Sequence, residues 1–158
     1  MKNSLTVRDA EKKDIPAIHE MLAVYAKEQI ILPRSEKDIE EHLGNFIVAL
    51  WDGNLCACCA IRDFGDDLIE LRSLVVLKGL EGKGIGRAMV EAIIGGLKLA
   101  HEHFCLFALT YQAVFFQKLG FHLVVKDMFP QKIWTDCINC PKKDHCDELA
   151  VVFQHDAK

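Results

Sequence analysis

Residues 74–90, LVVLKGLEGKGIGRAMV, pass from a β-branched apolar run through four glycines into a helical pattern. Such a passage points to anion binding. Gly82, Gly84 and Gly86 lack Cβ atoms, so main-chain amides can come close to a ligand, and the helix that opens there offers unpaired N–H groups at its partly positive end. Spacing excludes two common phosphate motifs. A Walker loop needs Ser or Thr after Gly-Lys, but Lys83 is followed by Gly84; a dinucleotide fingerprint needs G-x-G-x-x-G, but the third place holds Arg87 or Met89. What remains is a strand, a turn and an open helix start, an arrangement expected to hold a pyrophosphate. Lys78, Lys83 and Arg87 set three cations around it, which suits a ligand with several phosphates.

The flanking segments supply the elements that must position this turn. Residues 5–8 alternate as a first strand. Asp14 offers an N-cap oxygen and Pro16 lies in the first turn of a helix whose apolar face is Ile15, Ile18, Leu22 and Tyr25. Pro33 ends it. Ser35 with Asp38 resembles a capping box opening a second helix with Ile39, Leu43 and Phe46. Asp52-Gly53 between two apolar runs is a hairpin signal, and LIELRSLVV supplies a third strand before the glycines. Beyond them, Ile85, Ala88, Met89, Ala92, Ile93, Gly96, Leu97 and Ala100 share one face of a long helix. FCLFAL suits a strand covered on both faces, VFFQKLGF a short helix, and FHLVV and LAVVF closing strands. The order β-α-α-β-β-β-α-β-α-β-β predicts an α/β fold with a sheet of mixed direction.

At 158 residues and 51% hydrophobic composition, residues 1–158 are expected to form a single domain with a full core. A net charge of -4 and a pI near 6.0 exclude a general nucleic-acid binder, which needs a basic surface against phosphate. The opening MKNSLTVRDAEKKD has no apolar signal region and no run approaches membrane-spanning length, so the expected location is the cytoplasm, with no membrane partner. Seven cysteines form an odd number, and the three in LCACCAI read as buried thiols of a reducing compartment.

LRSLVVLKGLEGKGIGRAMVEAI resembles the acetyl-coenzyme A motif of the GNAT N-acetyltransferase superfamily, and FFQKLGF looks like that family's next helix-to-strand passage. The similarity covers nearly the whole chain. ILPRS, ELRSLVV, LFALT and FPQK occur in the order and spacing of the acetyltransferase domain of the N-acetylglutamate synthase family, and FPQKIWTDCINCPKKDHCDELAVV looks like the cysteine-bearing end of its short bacterial forms, which lack an amino-acid kinase domain. The resemblance implies the GNAT fold, a splayed mixed sheet flanked by helices. It also implies acetyl-CoA as cosubstrate and acetylation of the α-amine of L-glutamate, a step of arginine biosynthesis, by direct attack on the thioester. Glu81 stands where the family has Gln or Arg. The diphosphate is therefore expected on the amides of Gly82, Lys83, Gly84, Ile85, Gly86 and Arg87.

An amine attacking a thioester must first lose its ammonium proton. Glu70 stands where GNAT enzymes often place a carboxylate that works through water. A main-chain N–H near Leu74 is the expected oxyanion donor, and a strand splayed at Leu74, Val75 and Val76, opened by a β-bulge, would pair with the pantetheine amides. Many GNAT enzymes place a tyrosine acid where this chain has Phe116, which leaves Thr110 and Tyr111 as nearby hydroxyls. A thiol of pKa ~8.5 also leaves well as thiolate.

Arg34, in LPRS, matches the position that binds substrate carboxylate in the synthase family, where a guanidinium grips bidentately. Arg72, Ser73 and Lys132 are further substrate-binding candidates. Cys137, Cys140 and Cys146 have C-x2-C-x5-C spacing beside His145; zinc would need a fourth ligand and the spacing fits no standard knuckle, so no metal is assigned. Two alternatives remain open. One is the same donor with another amino acid, a protein N-terminus or a polyamine as acceptor; the other is a coenzyme A-binding sensor without turnover. The cations at 34, 72 and 132 favour an anionic acceptor over a polyamine. A homodimer is compatible with the sequence.

Overall fold

A computed structural model describes residues 4–27, 34–80, 82–110, 112–125 and 149–156. Its strands are β1 (Leu5–Asp9), β2 (Phe46–Trp51), β3 (Asn54–Asp63), β4 (Leu68–Val76), β5 (His103–Thr110), β6 (His122–Val124) and β7 (Leu149–Asp156); its helices are α1 (Ile15–Lys27), α2 (Glu36–Glu41), α3 (Ile85–Ala100) and α4 (Ala113–Gln117). These follow the expected order. The hydrogen-bonded strand order is β1-β2-β3-β4-β5-β7-β6, with β4–β5 parallel and β1–β2, β2–β3, β5–β7 and β6–β7 antiparallel. It is a mixed α/β sheet.

The chain forms two compact units. The first comprises the residues up to Arg62 and Leu71–Ala100. In it, Ile15, Ile18 and Leu22 of α1 and Ile39 of α2 pack on Phe46, Val48, Cys58 and Val75. The hairpin turn joining β2 and β3 forms as the Asp-Gly pair requires, with φ +53° at Asp52 and +84° at Gly53. Cys56, Cys58 and Cys59 are all buried, because β3 is covered on both faces. Burial pushes the Cys58 thiol up to about 12, with the nearby Arg34 cation offsetting part of the effect. These are packing thiols, not nucleophiles.

Three local expectations are corrected. The second helix ends at Glu41, so Leu43 lies in a 3-10 turn and Phe46 opens β2 instead of extending that helix. Along α3 the buried residues are Ile85, Met89, Val90, Ile93 and Leu97, while Ala92, Gly96 and Ala100 face solvent. The stripe turns toward Val90 because large apolar side chains remove more surface from water than alanine or glycine. Asp14, in turn, ends a 3-10 turn at Lys12–Asp14 and directs its carboxylate backwards, accepting from Arg8 Nη1 at 2.8 Å, Arg8 Nη2 at 3.2 Å and the Glu11 N–H at 2.8 Å.

The buried Asp14 carboxyl is held below its ordinary pKa, chiefly by its hydrogen bonds from Arg8. A lowered folded-state pKa means that the unfolded chain takes up the proton first. The stability this group contributes is complete above the unfolded carboxyl value of ~3.9 and is lost as the pH falls through the lower folded value. Asp14→Asn is expected to cost about 2 kcal/mol at pH 7, the scale of charge-assisted hydrogen bonds. Urea melts of both proteins at pH 7 and pH 3 check it, since the difference should shrink in acid.

The second unit comprises Asp63–Glu70 and the residues from His101 onward. Strand β7 pairs along all of β5, from His103↔Asp156 to Thr110↔Leu149. Phe107, Ala150 and Val152 form a buried cluster. Phe116 of α4 packs edge-on against Phe121, which packs against Phe153, with centroid separations of 5.1 and 5.6 Å.

Candidate active site

Strand β4 carries most of the expected chemistry. Its parallel ladder with β5 comprises Leu68↔Cys105, Ile69↔Leu106 and Glu70↔Phe107, although β4 continues to Val76 and β5 to Thr110. Glu70 therefore stands at the last rung. It is only 8% exposed, between the buried Ile69 and Leu71. A carboxylate is rarely buried without purpose, since desolvation penalises its charged form.

Past Glu70 the strand departs from regular geometry. Ser73 has φ +57°, the left-handed region, in mid-strand. A non-glycine residue there costs of order 1 kcal/mol or more and turns the chain locally. This is where an irregularity was expected to open the strand. Val75 returns to the apolar core, and the Val76 carbonyl accepts a hydrogen bond from the Tyr25 hydroxyl at 2.7 Å. Tyr25 thereby ties α1 to the end of β4. Sequence reasoning missed this contact because it joins residues 51 positions apart and no local pattern announces it.

The glycine turn follows. Gly82 and Gly84 both have φ +81°, which side-chain-bearing residues rarely adopt. The Gly84 carbonyl accepts from the Ala88 N–H at 3.0 Å, so Gly84 is the N-cap of α3 and Ile85, Gly86 and Arg87 form its first turn. A Ser, Thr or Asp at that place would fold its own oxygen onto the first-turn amides. Glycine brings no such oxygen of its own. Gly82, Lys83 and Gly84 are exposed, while Ile85 anchors the helix start in the core. Arg87 meets Glu91 at 2.7 Å, an exposed i,i+4 pair of little energetic weight. Lys78 Nζ lies 5.7 Å over the Tyr25 ring.

Arg34 immediately precedes the α2 N-cap, Ser35, whose Oγ accepts from the Asp38 N–H at 3.1 Å. Arg34 Nε donates to Asp38 Oδ2 at 2.6 Å, and the guanidinium lies 4.9 Å over the Phe46 ring. That pair holds the Asp38 carboxyl below its usual range. Only the forward half of the expected capping box forms, because Asp38 turns to Arg34 instead. The i,i+4 spacing of Arg34 and Asp38 was the available signal for this pair.

Of the remaining candidates, Arg72 is half-buried, and its carbonyl lies 3.6 Å from Cys59 Sγ. Thr110 is buried, and its Oγ1 accepts from the Gln112 N–H at 2.8 Å, a local turn that leaves the hydroxyl hydrogen as donor. Phe116 is a packed aromatic residue. Glu81, Tyr111, Lys132, Cys137, Cys140 and Cys146 lie outside the described residues.

The geometry agrees with comparison to known proteins. Residues 42–123 match the acetyltransferase (GNAT) domain. The chain is 43% identical over 146 residues to an uncharacterized N-acetyltransferase of Chlorobaculum tepidum, covering 92% of this chain and 94% of that one. It is 30% identical over 132 residues to the amino-acid acetyltransferase of Neisseria meningitidis serogroup A, covering 80% of this chain but 29% of the relative. In structure it is similar, with TM-score 0.83 and 25% identity over 98% of this chain and 36% of the other, to N-acetylglutamate synthase from Neisseria gonorrhoeae complexed with coenzyme A and N-acetyl-glutamate. The chain thus spans about a third of the length of those two Neisseria proteins. A helix start that follows Gly84, behind a strand with a buried carboxylate, and a family match centred on those residues lead to one conclusion: the chain belongs to the acetyltransferase (GNAT) family and is an N-acetyltransferase.

Proposed function

We propose that this enzyme transfers the acetyl group of acetyl-CoA to the α-amine of L-glutamate. The observation that carries the reading is the sequence of features along β4, a buried carboxylate at Glu70 followed by the glycine-capped start of α3. The first-turn amides of α3, with Lys83 and Arg87 nearby, hold the diphosphate, since open N–H groups and the helix dipole both favour an anion. The pantetheine arm lies along β4 beside Leu74, Val75 and Val76 and pairs as an added strand would.

Chemistry then proceeds in one displacement. Glu70 takes a proton from the substrate ammonium through water, which gives the nitrogen its lone pair. The nitrogen attacks the thioester carbon, and the Leu74 N–H donates to the oxyanion that forms. The carbon–sulfur bond breaks, leaving an acetylated amine and coenzyme A thiolate. The second proton of the attacking nitrogen passes through the hydroxyl of Thr110 or Tyr111 to that sulfur, and Glu70 releases its own proton to solvent. Arg34 grips a substrate carboxylate, with Arg72, Ser73 and Lys132 around it, and a dicarboxylic amino acid supplies two such groups.

A thiol-release assay with acetyl-CoA against L-glutamate, other amino acids, spermine and an N-terminal peptide tests the acceptor. Release that depends on glutamate is expected. Release with spermine or peptide but not glutamate overturns the choice of acceptor, and release with none overturns the reaction.

A further inference from the structure

Arg34 combines three features that together define a receptor for a planar anion. Its side chain is 15% exposed, so much of its hydration has been removed. Its Nε–H is used by Asp38 and its guanidinium face by the Phe46 ring, yet a guanidinium has five N–H donors. Among the described residues the four hydrogens on its two Nη atoms have no protein partner. None of the described buried side-chain nitrogen or oxygen atoms is left unpaired. The side chain keeps 15% of its exposure, and those Nη hydrogens are the donors Arg34 has left for an acceptor.

We propose that Asp38 is a positioning residue that presets this fork for the acceptor's carboxylate, an inference that rests on the amino-acid acceptor proposed above. Asp38 is itself well fixed. Its N–H is held by Ser35 Oγ at 3.1 Å, and its second oxygen, Oδ1, meets His42 Nδ1 at 3.1 Å. With its backbone and one oxygen held, the other oxygen can direct the Nε edge of Arg34. The ring of Phe46, fully buried, backs the plane of the guanidinium from a rigid wall. A free arginine must give up rotamer freedom when it grips a carboxylate, whereas this one has already done so on folding.

Charge makes the proposal specific. The carboxylate of Asp38 neutralises Arg34 locally, so the pair attracts a substrate through the direction of its two parallel N–H bonds more than through net charge. Lysine cannot replace that geometry.

A double-mutant cycle in the full chain tests it, with steady-state kinetics against L-glutamate and acetyl-CoA. Arg34→Ala is expected to raise KM for glutamate about ten- to a hundredfold, the worth of charge-assisted hydrogen bonds. Asp38→Ala is expected to raise it about two- to tenfold, the worth of one ordered side chain, with kcat and the KM for acetyl-CoA within about twofold of wild type. In the Arg34→Ala background, Asp38→Ala should add nothing, because there is no fork left to orient. A merely structural Asp38 would lower thermal stability without moving the glutamate KM selectively. An unchanged glutamate KM in Asp38→Ala, or an equal effect of that change with and without Arg34, overturns the positioning role while the acceptor reading stands. An unchanged glutamate KM in Arg34→Ala overturns both.

Discussion

Glu70→Gln is expected to lower kcat by about 10²- to 10⁴-fold, the usual contribution of a positioned acid or base, while the affinity for acetyl-CoA stays at the wild-type value. The amide keeps the shape of the carboxylate at a site only 8% exposed, so packing around Ile69 and Leu71 survives. What it loses is the capacity to accept a proton. The variant must wait for an amine already deprotonated in solution, so its rate should climb with pH more steeply than that of the wild type. Rapid-quench measurement of single turnovers from pH 6 to 9 checks both features. Equal loss in kcat at every pH would assign Glu70 a structural part instead.

Gly84→Asp acts at the start of α3. Asp is a good N-cap and, with Asn, tolerates the left-handed backbone better than most residues, so α3 should persist at a strain cost of about 1–2 kcal/mol for the φ of +81° at this position. Its carboxylate would fold onto the first-turn amides and meet the ligand's diphosphate as a like charge. The expected outcome is an increase of about a hundredfold or more in the KM for acetyl-CoA, two or so charge-assisted hydrogen bonds having been lost. Circular dichroism and thermal melting near the wild-type curve would separate this from loss of fold. A KM within threefold of wild type would mean that the diphosphate lies elsewhere.

The sequence made the element order and the glycine turn legible because both rest on local rules. Apolar period separates strand from helix, Asp52-Gly53 demands a hairpin, and a strand running into glycines and a helix marks an anion site. A splay was expected at Leu74, Val75 and Val76, but not the left-handed backbone at Ser73 just before it, which is imposed by the folded strand and not by serine. The buried stripe of α3 includes Val90 and leaves out Ala92, Gly96 and Ala100, because alanine and glycine satisfy an apolar pattern without needing burial. Contacts between distant residues were the least visible. Tyr25 on the Val76 carbonyl depends on how α1 lies over the end of β4, and Asp14 was diverted from capping by Arg8, a competitor six residues upstream. At Arg34 the family resemblance marked the residue, but only the structure shows Asp38 and Phe46 holding it.

Calorimetric titration of the wild-type chain with acetyl-CoA and, separately, with acetyl-pantetheine isolates the diphosphate on which the reading depends. Acetyl-CoA is expected to bind at least about a hundredfold more tightly, because only it places negative charge on the open amides of α3. Equal affinity for the two compounds, or no heat with acetyl-CoA at all, would contradict it.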